Sequence, residues 1–75
     1  MTQKPIVYTL KTCPACIKLK EEWARLGRPF EERQVDENQV WLDEALTHGN
    51  SVPIVVYPDG RVEIGFKNMI SCYIA

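Results

Sequence analysis

The apolar positions of this chain fall into two periods, and the switches between them mark out its elements. Pro5 to Leu10 is mostly apolar and predicts a short buried strand. From Pro14 to Leu26 the residues Cys16, Leu19, Trp23 and Leu26 recur at three- and four-residue spacing, which predicts a helix packed along one face. Gly27 stands where a helix C-terminal glycine belongs. Phe30 to Val35 interleaves charged and apolar residues, a pattern suited to an edge strand. Asp36, Glu37 and Asn38 supply N-cap candidates and early negative charge for a second helix. Its apolar stripe is Trp41, Leu42, Ala45 and Leu46, and Gly49 ends it. Val52 to Tyr57 is a continuous apolar run that predicts a central strand. Pro58-Asp59-Gly60 has turn chemistry, and Arg61 to Ile64 predicts the returning strand of a hairpin. After Gly65, the residues Phe66, Met69, Ile70, Tyr73 and Ile74 form an i, i+3, i+4, i+7, i+8 stripe that predicts a last helix.

The predicted order is β-α-β-α-β-β-α. A βαβ start followed by a hairpin and a helix implies an α/β domain with a mixed sheet and helices on its faces. No repeat, linker or low-complexity segment interrupts residues 1–75, so one domain is expected. A chain of this length buries only about 60% of its unfolded surface, and its core is thin. Hydrophobic residues make up 45%, which suits a globular domain. The net charge of -1 gives no field of the kind that attracts nucleic acid. No apolar run approaches the roughly 20 residues that span a bilayer. Met1 to Pro5 leads directly into the first strand and is too short for a signal peptide, so a cytoplasmic location is expected. A monomer is expected as well.

The chain has three cysteines, Cys13, Cys16 and Cys72. A small secreted scaffold would carry an even set, whereas three thiols with two in a Cys-x-x-Cys fit a reducing compartment. Cys13-Pro14-Ala15-Cys16 sits at the predicted strand-to-helix junction. Proline is favoured at the first helical position, which makes Cys13 the N-cap. There its sulfur can accept from the N–H groups of Ala15 and Cys16, and the helix dipole adds positive potential. Both favour thiolate, so the Cys13 pKa is expected below the free value of about 8.5. Lys11 adds positive charge nearby. Cys13 is therefore the expected nucleophile of disulfide exchange. Cys16, almost a turn further on and at the start of the apolar face, is expected to be buried. It would resolve the mixed disulfide and leave Cys13–Cys16 oxidised.

Other readings of these residues are plainer. Cys-x-x-Cys is also a metal-ligand spacing, but a closed zinc site needs four ligands. The only other thiol and imidazole belong to Cys72 and His48. No metal is expected, and a metal or iron–sulfur module on the same fold is the alternative of another class. Cys72 falls off the final stripe and is expected at a boundary, as an incidental thiol or a site of glutathionylation or intermolecular pairing. His48 reads as structural, at a helix end. Trp23 and Trp41 are expected under the sheet. Strand phase alone leaves open whether Tyr8 faces the sulfurs.

Lys11-Thr12-Cys13-Pro14-Ala15-Cys16 after the first strand, Val35-Asp36 after the second, Ser51-Val52-Pro53 opening the third, and Gly65 together resemble the glutaredoxin branch of the thioredoxin-like superfamily. The resemblance covers nearly the whole chain. It implies a thioredoxin-like fold, βαβαββα, with a four-stranded mixed sheet and helices on both faces. It implies a small thiol–disulfide oxidoreductase that acts on disulfide-containing proteins, with no bound cofactor and with glutathione as a possible co-substrate. The resemblance further implies a cis Val52–Pro53 bond, with the Val52 backbone pairing with an extended substrate segment. Lys11, Thr12, Pro14, Val52 and Pro53 are the substrate-binding residues on this reading. Glutathione-dependent members usually follow the fourth strand with Gly-Gly and an acidic residue. Here Phe66 replaces the second glycine, and Lys67 or Asn68 the acid. Gly65-Phe66-Lys67-Asn68-Met69-Ile70 looks more like the NrdH-redoxins, which take electrons from thioredoxin reductase. The electron donor stays open between the two.

Overall fold

A computed structural model describes residues 4–67 and 69–74. The elements run β1 (Ile6–Thr9), α1 (Pro14–Arg25), β2 (Glu31–Gln34), α2 (Gln39–Leu46), β3 (Ser51–Val52), β4 (Ile54–Val56), β5 (Val62–Ile64) and β6 (Cys72–Tyr73). Four strands form one mixed sheet in the order β2-β1-β4-β5. β1 pairs parallel with β2, with Ile6 opposite Glu31, and antiparallel with β4, with Tyr8 opposite Ile54. The parallel pair requires a crossover, and α1 supplies it. β4 and β5 form the expected hairpin through Pro58-Asp59-Gly60, where Gly60 adopts φ +97°.

Strand alternation sends neighbouring side chains to opposite faces of the sheet. Val7 and Val55 face α1, where Leu19 and Trp23 cover them. Trp23 is buried and meets Phe30 edge-on at 5.6 Å between ring centroids. Tyr8 and Ile54 face the other way and pack with Ala45 of α2, Val35 and Val52. Each fully buried aliphatic side chain, such as Leu19 or Ile54, contributes about 1.5–3 kcal/mol of burial free energy. Helices therefore cover both faces of the sheet. Trp41, expected under the sheet, is only half-buried, because α2 turns Ala45 inward instead.

The helix ends follow the local sequence. Pro14 occupies the first turn of α1, and the Cys13 carbonyl accepts from Ile17 N–H at 3.0 Å. Gly27, at φ +69°, lies just beyond the C-cap Leu26, where a left-handed residue is needed. The Asn38 carboxamide oxygen accepts from the N–H groups of Val40 and Trp41 and caps α2.

Two expectations about the second half are corrected. The run from Val52 to Tyr57 is not one strand. It breaks at Pro53 into β3 and β4, and only β4 joins the four-stranded sheet. The last helix is also absent among the described residues. Gly65 (φ +90°) and Lys67 (φ +53°) both leave the right-handed helical region. Phe66 and Met69 form an isolated bridge, closed by Met69 N–H donating to Phe66 O at 3.0 Å. β6 then pairs antiparallel with β3. A segment this short cannot sustain a helix on its own, and it is rich in residues that favour strands. The break at Pro53 leaves β3 in need of backbone partners, and β6 supplies them. Asn68, one of the residues at the altered glutathione position, lies outside the described residues, as do Met1–Gln3.

One carboxylate ties three elements together. Glu32 on β2 accepts from Lys20 Nζ of α1 at 2.8 Å, Thr9 Oγ1 of β1 at 2.9 Å and Gln34 Nε2 at 3.3 Å. Burial pushes this carboxyl up, but the three donors outweigh it and hold it below the usual carboxylate range. A depressed pKa stabilises the fold above the unfolded value of about 4.3, and the gain is lost as pH falls through the folded value. Glu32→Gln is expected to lower stability at pH 7 by about 0.2–1 kcal/mol, the range of partly exposed ion pairs. In thermal melts across pH, its Tm deficit should be full at neutral pH and shrink below pH ~4. A deficit independent of pH would contradict the assignment.

Candidate active site

The C-terminal end of β1 and the start of α1 bring the predicted residues to one end of the sheet. Cys13 N–H donates to Leu10 O at 3.3 Å and closes the turn that carries Lys11 and Thr12, both exposed. Pro14 is exposed at the helix start. Cys13 and Cys16 share a buried cluster with Tyr8, Ala15, Val35, Ala45, Val52 and Ile54. Tyr8 thus lies on the same face of the sheet as the cysteines. Its hydroxyl donates to Glu44 Oε1 at 3.0 Å, and Arg33 donates to the same oxygen at 2.6 Å. Burial, reinforced by Glu44, pushes the Tyr8 pKa up, so it stays a neutral donor.

Val52 approaches from the other side. The Val52–Pro53 peptide bond is cis. The Val52 carbonyl oxygen lies 4.0 Å from Cys13 Sγ. Gly65 N–H donates to the Pro53 carbonyl at 2.8 Å and links the end of the hairpin to this loop. Lys11, Thr12, Cys13, Pro14 and Cys16 belong to one turn and helix start, and Val52 and Pro53 meet that start from β3.

The sulfur chemistry differs from the sequence expectation in two ways. The disulfide in the structure joins Cys13 to Cys72, with Cα atoms 6.0 Å apart, and Cys16 is a free buried thiol. Cys13 is the N-cap of α1, but its side chain makes no capping hydrogen bond, because its sulfur turns to Cys72 instead. Cys13 is buried: with Cys72 bonded over it, its accessibility is 1%. A disulfide sulfur does not titrate, so the lowered pKa expected of Cys13 concerns the reduced form only.

Cys16 is fully buried, and its Sγ accepts from Leu10 N–H at 3.5 Å. Burial raises its pKa, with the Leu10 N–H and Lys20 opposing only in part. It is a thiol rather than a thiolate at neutral pH. His48 is exposed after the end of α2, 6.1 Å from the Tyr8 ring. Among the described residues no group of three or more His, Cys, Asp or Glu side chains is placed to hold a metal ion.

The altered glutathione segment is occupied by its own contacts. Lys67 Nζ donates to Glu22 Oε1 of α1 at 2.7 Å, and that bond holds Glu22 below the usual carboxylate range. Phe66 packs against both core clusters. A cleft of about 250 Å³ opens here between α1 and the hairpin, lined by Leu19, Glu22, Trp23, Val55, Phe66 and Lys67. None of the cysteines lines it.

Sequence reasoning missed the role of Cys72 in the site. The available signals were the odd third thiol and the alternation of Cys72, Tyr73 and Ile74, which fits a strand as well as a helix.

A disulfide-forming cysteine at a helix start, beside a cis Val52–Pro53 bond, on a mixed α/β sheet, defines a thiol redox protein of the thioredoxin-like class. The glutaredoxin family model matches residues 6–62, and this chain belongs to that family. A crystal structure of a point mutant of the thioredoxin-like protein BC3987 is similar, with a TM-score of 0.78 and 31% identity. That match covers 88% of this chain and 86% of the other. No curated protein matches the sequence.

The burial of Cys16 has a direct chemical consequence. When the native Cys13–Cys72 form is treated with iodoacetamide, Cys16 should remain unmodified near neutral pH, and unfolding in urea should release one reactive thiol. Because burial raises its pKa, native labelling should stay slow until pH passes well above the ordinary thiol value of about 8.5. Mass spectrometry reads both. Fast native labelling of Cys16 at pH 7 would refute its burial in the Cys13–Cys72 form.

Proposed function

We propose that this chain reduces disulfides of proteins by thiol–disulfide exchange, with Cys13 as nucleophile and Cys16 as the resolving thiol of the Cys13-Pro14-Ala15-Cys16 motif. The observation that carries this reading is the position of Cys13. Its sulfur lies at the start of α1, beside the Val52 carbonyl, and is bonded to a cysteine on an extended strand paired with Val52. An incoming cysteine-bearing segment would meet the same backbone edge and the same sulfur. The Cys13 thiolate attacks one sulfur of the substrate disulfide, and the other leaves as a thiolate and takes a proton from water. A protein thiolate then attacks Cys13 and releases the second substrate sulfur. Two electrons pass from the protein thiols to the substrate, and no bound metal or organic cofactor is needed. Lys11, Thr12 and Pro14 would border the incoming segment, with Val52 and Pro53 pairing and positioning its backbone.

The Gly65-Phe66-Lys67 segment supports a reading of the electron donor. Phe66 fills the position of a second glycine, and Lys67 is engaged by Glu22. These contacts favour thioredoxin reductase over glutathione, as in the NrdH-redoxins. We place the reaction in a monomer in the reducing cytoplasm.

NADPH consumption with a model disulfide tests both statements. Turnover is expected with thioredoxin reductase and to be weaker with glutathione plus its reductase. Cys13→Ser should remove all measurable turnover with either donor. Full activity in Cys13→Ser would sink the assignment, and equal turnover with glutathione would overturn the donor. A visible absorption band or bound metal in the purified protein would favour the metal-carrying alternative.

A further inference from the structure

We infer that Cys72 is a second resolving thiol, carried on a C-terminal strand that occupies the substrate's place and closes the site as a Cys13–Cys72 disulfide. The inference rests on the proposed role of Cys13 and extends it to the residues that follow the hairpin.

Four observations converge on it. β6 lies antiparallel to β3, with Cys72 directly opposite Val52 and Tyr73 opposite Ser51. Ile74 N–H continues the pairing by donating to Asn50 O at 2.8 Å. The strand therefore uses the backbone edge that an extended substrate would use, which is strand addition by a segment of the same chain. Second, Cys72 is bonded to Cys13, and the Cα separation of 6.0 Å falls within the ordinary span of a disulfide. Third, alternation turns Cys72 and Ile74 towards the buried cluster, while Tyr73 stays 76% exposed. The inward phase of the strand is the one that carries the thiol. Fourth, the turn that delivers β6 is fixed by the positive dihedrals of Gly65 and Lys67 and by the Phe66–Met69 bridge. The Lys67–Glu22 ion pair ties that turn to α1. The placement of Cys72 thus follows from several contacts besides the sulfur bond.

The chemistry balances without an added reactant. Cys13 first forms a mixed disulfide with the substrate. The Cys72 thiol gives its proton to solvent, and its sulfur attacks the Cys13 sulfur. The Cys13–substrate bond breaks, the substrate leaves as a thiolate, and a Cys13–Cys72 bond forms. As β6 pairs with β3 it displaces the substrate segment from the Val52 edge, so strand exchange accompanies sulfur exchange. In the product Cys13 is covered and no second substrate can pair. Cys16 can reopen the site by attacking Cys13 and releasing Cys72, with no net change in oxidation. Its burial and its thiol state oppose that step. The closed form therefore persists until an external dithiol, such as a reductase, reduces it. The substrate implied by this arrangement is an extended segment with a cysteine opposite Val52, an apolar residue two positions on, and the intervening side chain in solvent.

The test uses the full chain and three variants: Cys16→Ser, Cys72→Ser and Cys16→Ser with Cys72→Ser. Each is fully reduced, mixed with hydroxyethyl disulfide, quenched with iodoacetamide, and mapped by mass spectrometry without reductant. Cys16→Ser is expected to shed the mercaptoethanol adduct from Cys13 and to yield a peptide linking Cys13 to Cys72. Cys72→Ser is expected to close Cys13 to Cys16. The double variant is expected to keep the adduct on Cys13. If Cys16→Ser retains the Cys13 adduct as fully as the double variant does, Cys72 resolves nothing and the inference is overturned, while the role of Cys13 stands. If the double variant carries no adduct on Cys13, the nucleophile itself is wrong and both readings fall.

Discussion

β1 pairs along both of its edges, parallel to β2 on one side and antiparallel to β4 on the other, and that double pairing sets where the sulfurs can lie. Its last residues are held in register between Gln34 and Ile54, so the turn that follows starts from a fixed point. α1 is then pressed onto the Val7 and Val55 face by Leu19 and Trp23. With both the strand end and the helix axis fixed, the helix start has little freedom, and Cys13 is delivered beside Val52. A loosely held β1 would leave Cys13 and Val52 without a common frame. The thin core expected of a chain this short is concentrated on that frame, with the buried cysteines forming part of it rather than lying on its surface.

The break at Pro53 is the second determinant. Had the run from Val52 to Tyr57 continued as one strand, Val52 would have belonged to the four-stranded sheet and its backbone would not meet another segment at the sulfurs. Because the run divides, β4 completes the sheet while β3 offers a separate edge next to Cys13. An unpaired edge is a place where extended chain binds. In this molecule the chain's own end takes that place. On the proposed function, substrate recognition and self-closure are two occupancies of one edge, and the sulfur of Cys13 has one partner at a time. The same arrangement accounts for the burial of Cys13: the strand that covers it also carries its disulfide partner.

Much of this was legible in the residues. The period of three and four along Cys16, Leu19 and Trp23 foretold α1 and its buried side, and Pro14 foretold the helix start at Cys13, because these depend on contacts within a few residues. Gly27 and Asn38 marked helix ends for the same local reason. The interleaved charges of Phe30 to Val35 foretold an edge strand, and β2 lies at the edge of the sheet. The family resemblance rested on Cys13-Pro14-Ala15-Cys16 and Val52-Pro53, and the matching family model spans both.

The end of the chain was decided otherwise. Phe66, Met69, Ile70, Tyr73 and Ile74 carry a helical stripe, yet the same residues from Cys72 to Ile74 also alternate like a strand. Local pattern cannot choose between the two in so short a segment. The choice belongs to β3, 20 residues earlier in the chain at Val52, whose backbone groups need partners that a helix would not give. The partner of Cys13 was decided in the same way. Spacing alone favoured Cys16, three residues on, whereas the fold turns the Cys13 sulfur towards a thiol brought across the sheet end by strand pairing. The sequence by itself determined α1, α2, β1, β2, the β4–β5 hairpin and the helix-start position of Cys13, because each is set by neighbours in the chain. Only the tertiary structure determined which thiol faces it, because that depends on which backbone edge is left open once the sheet has formed.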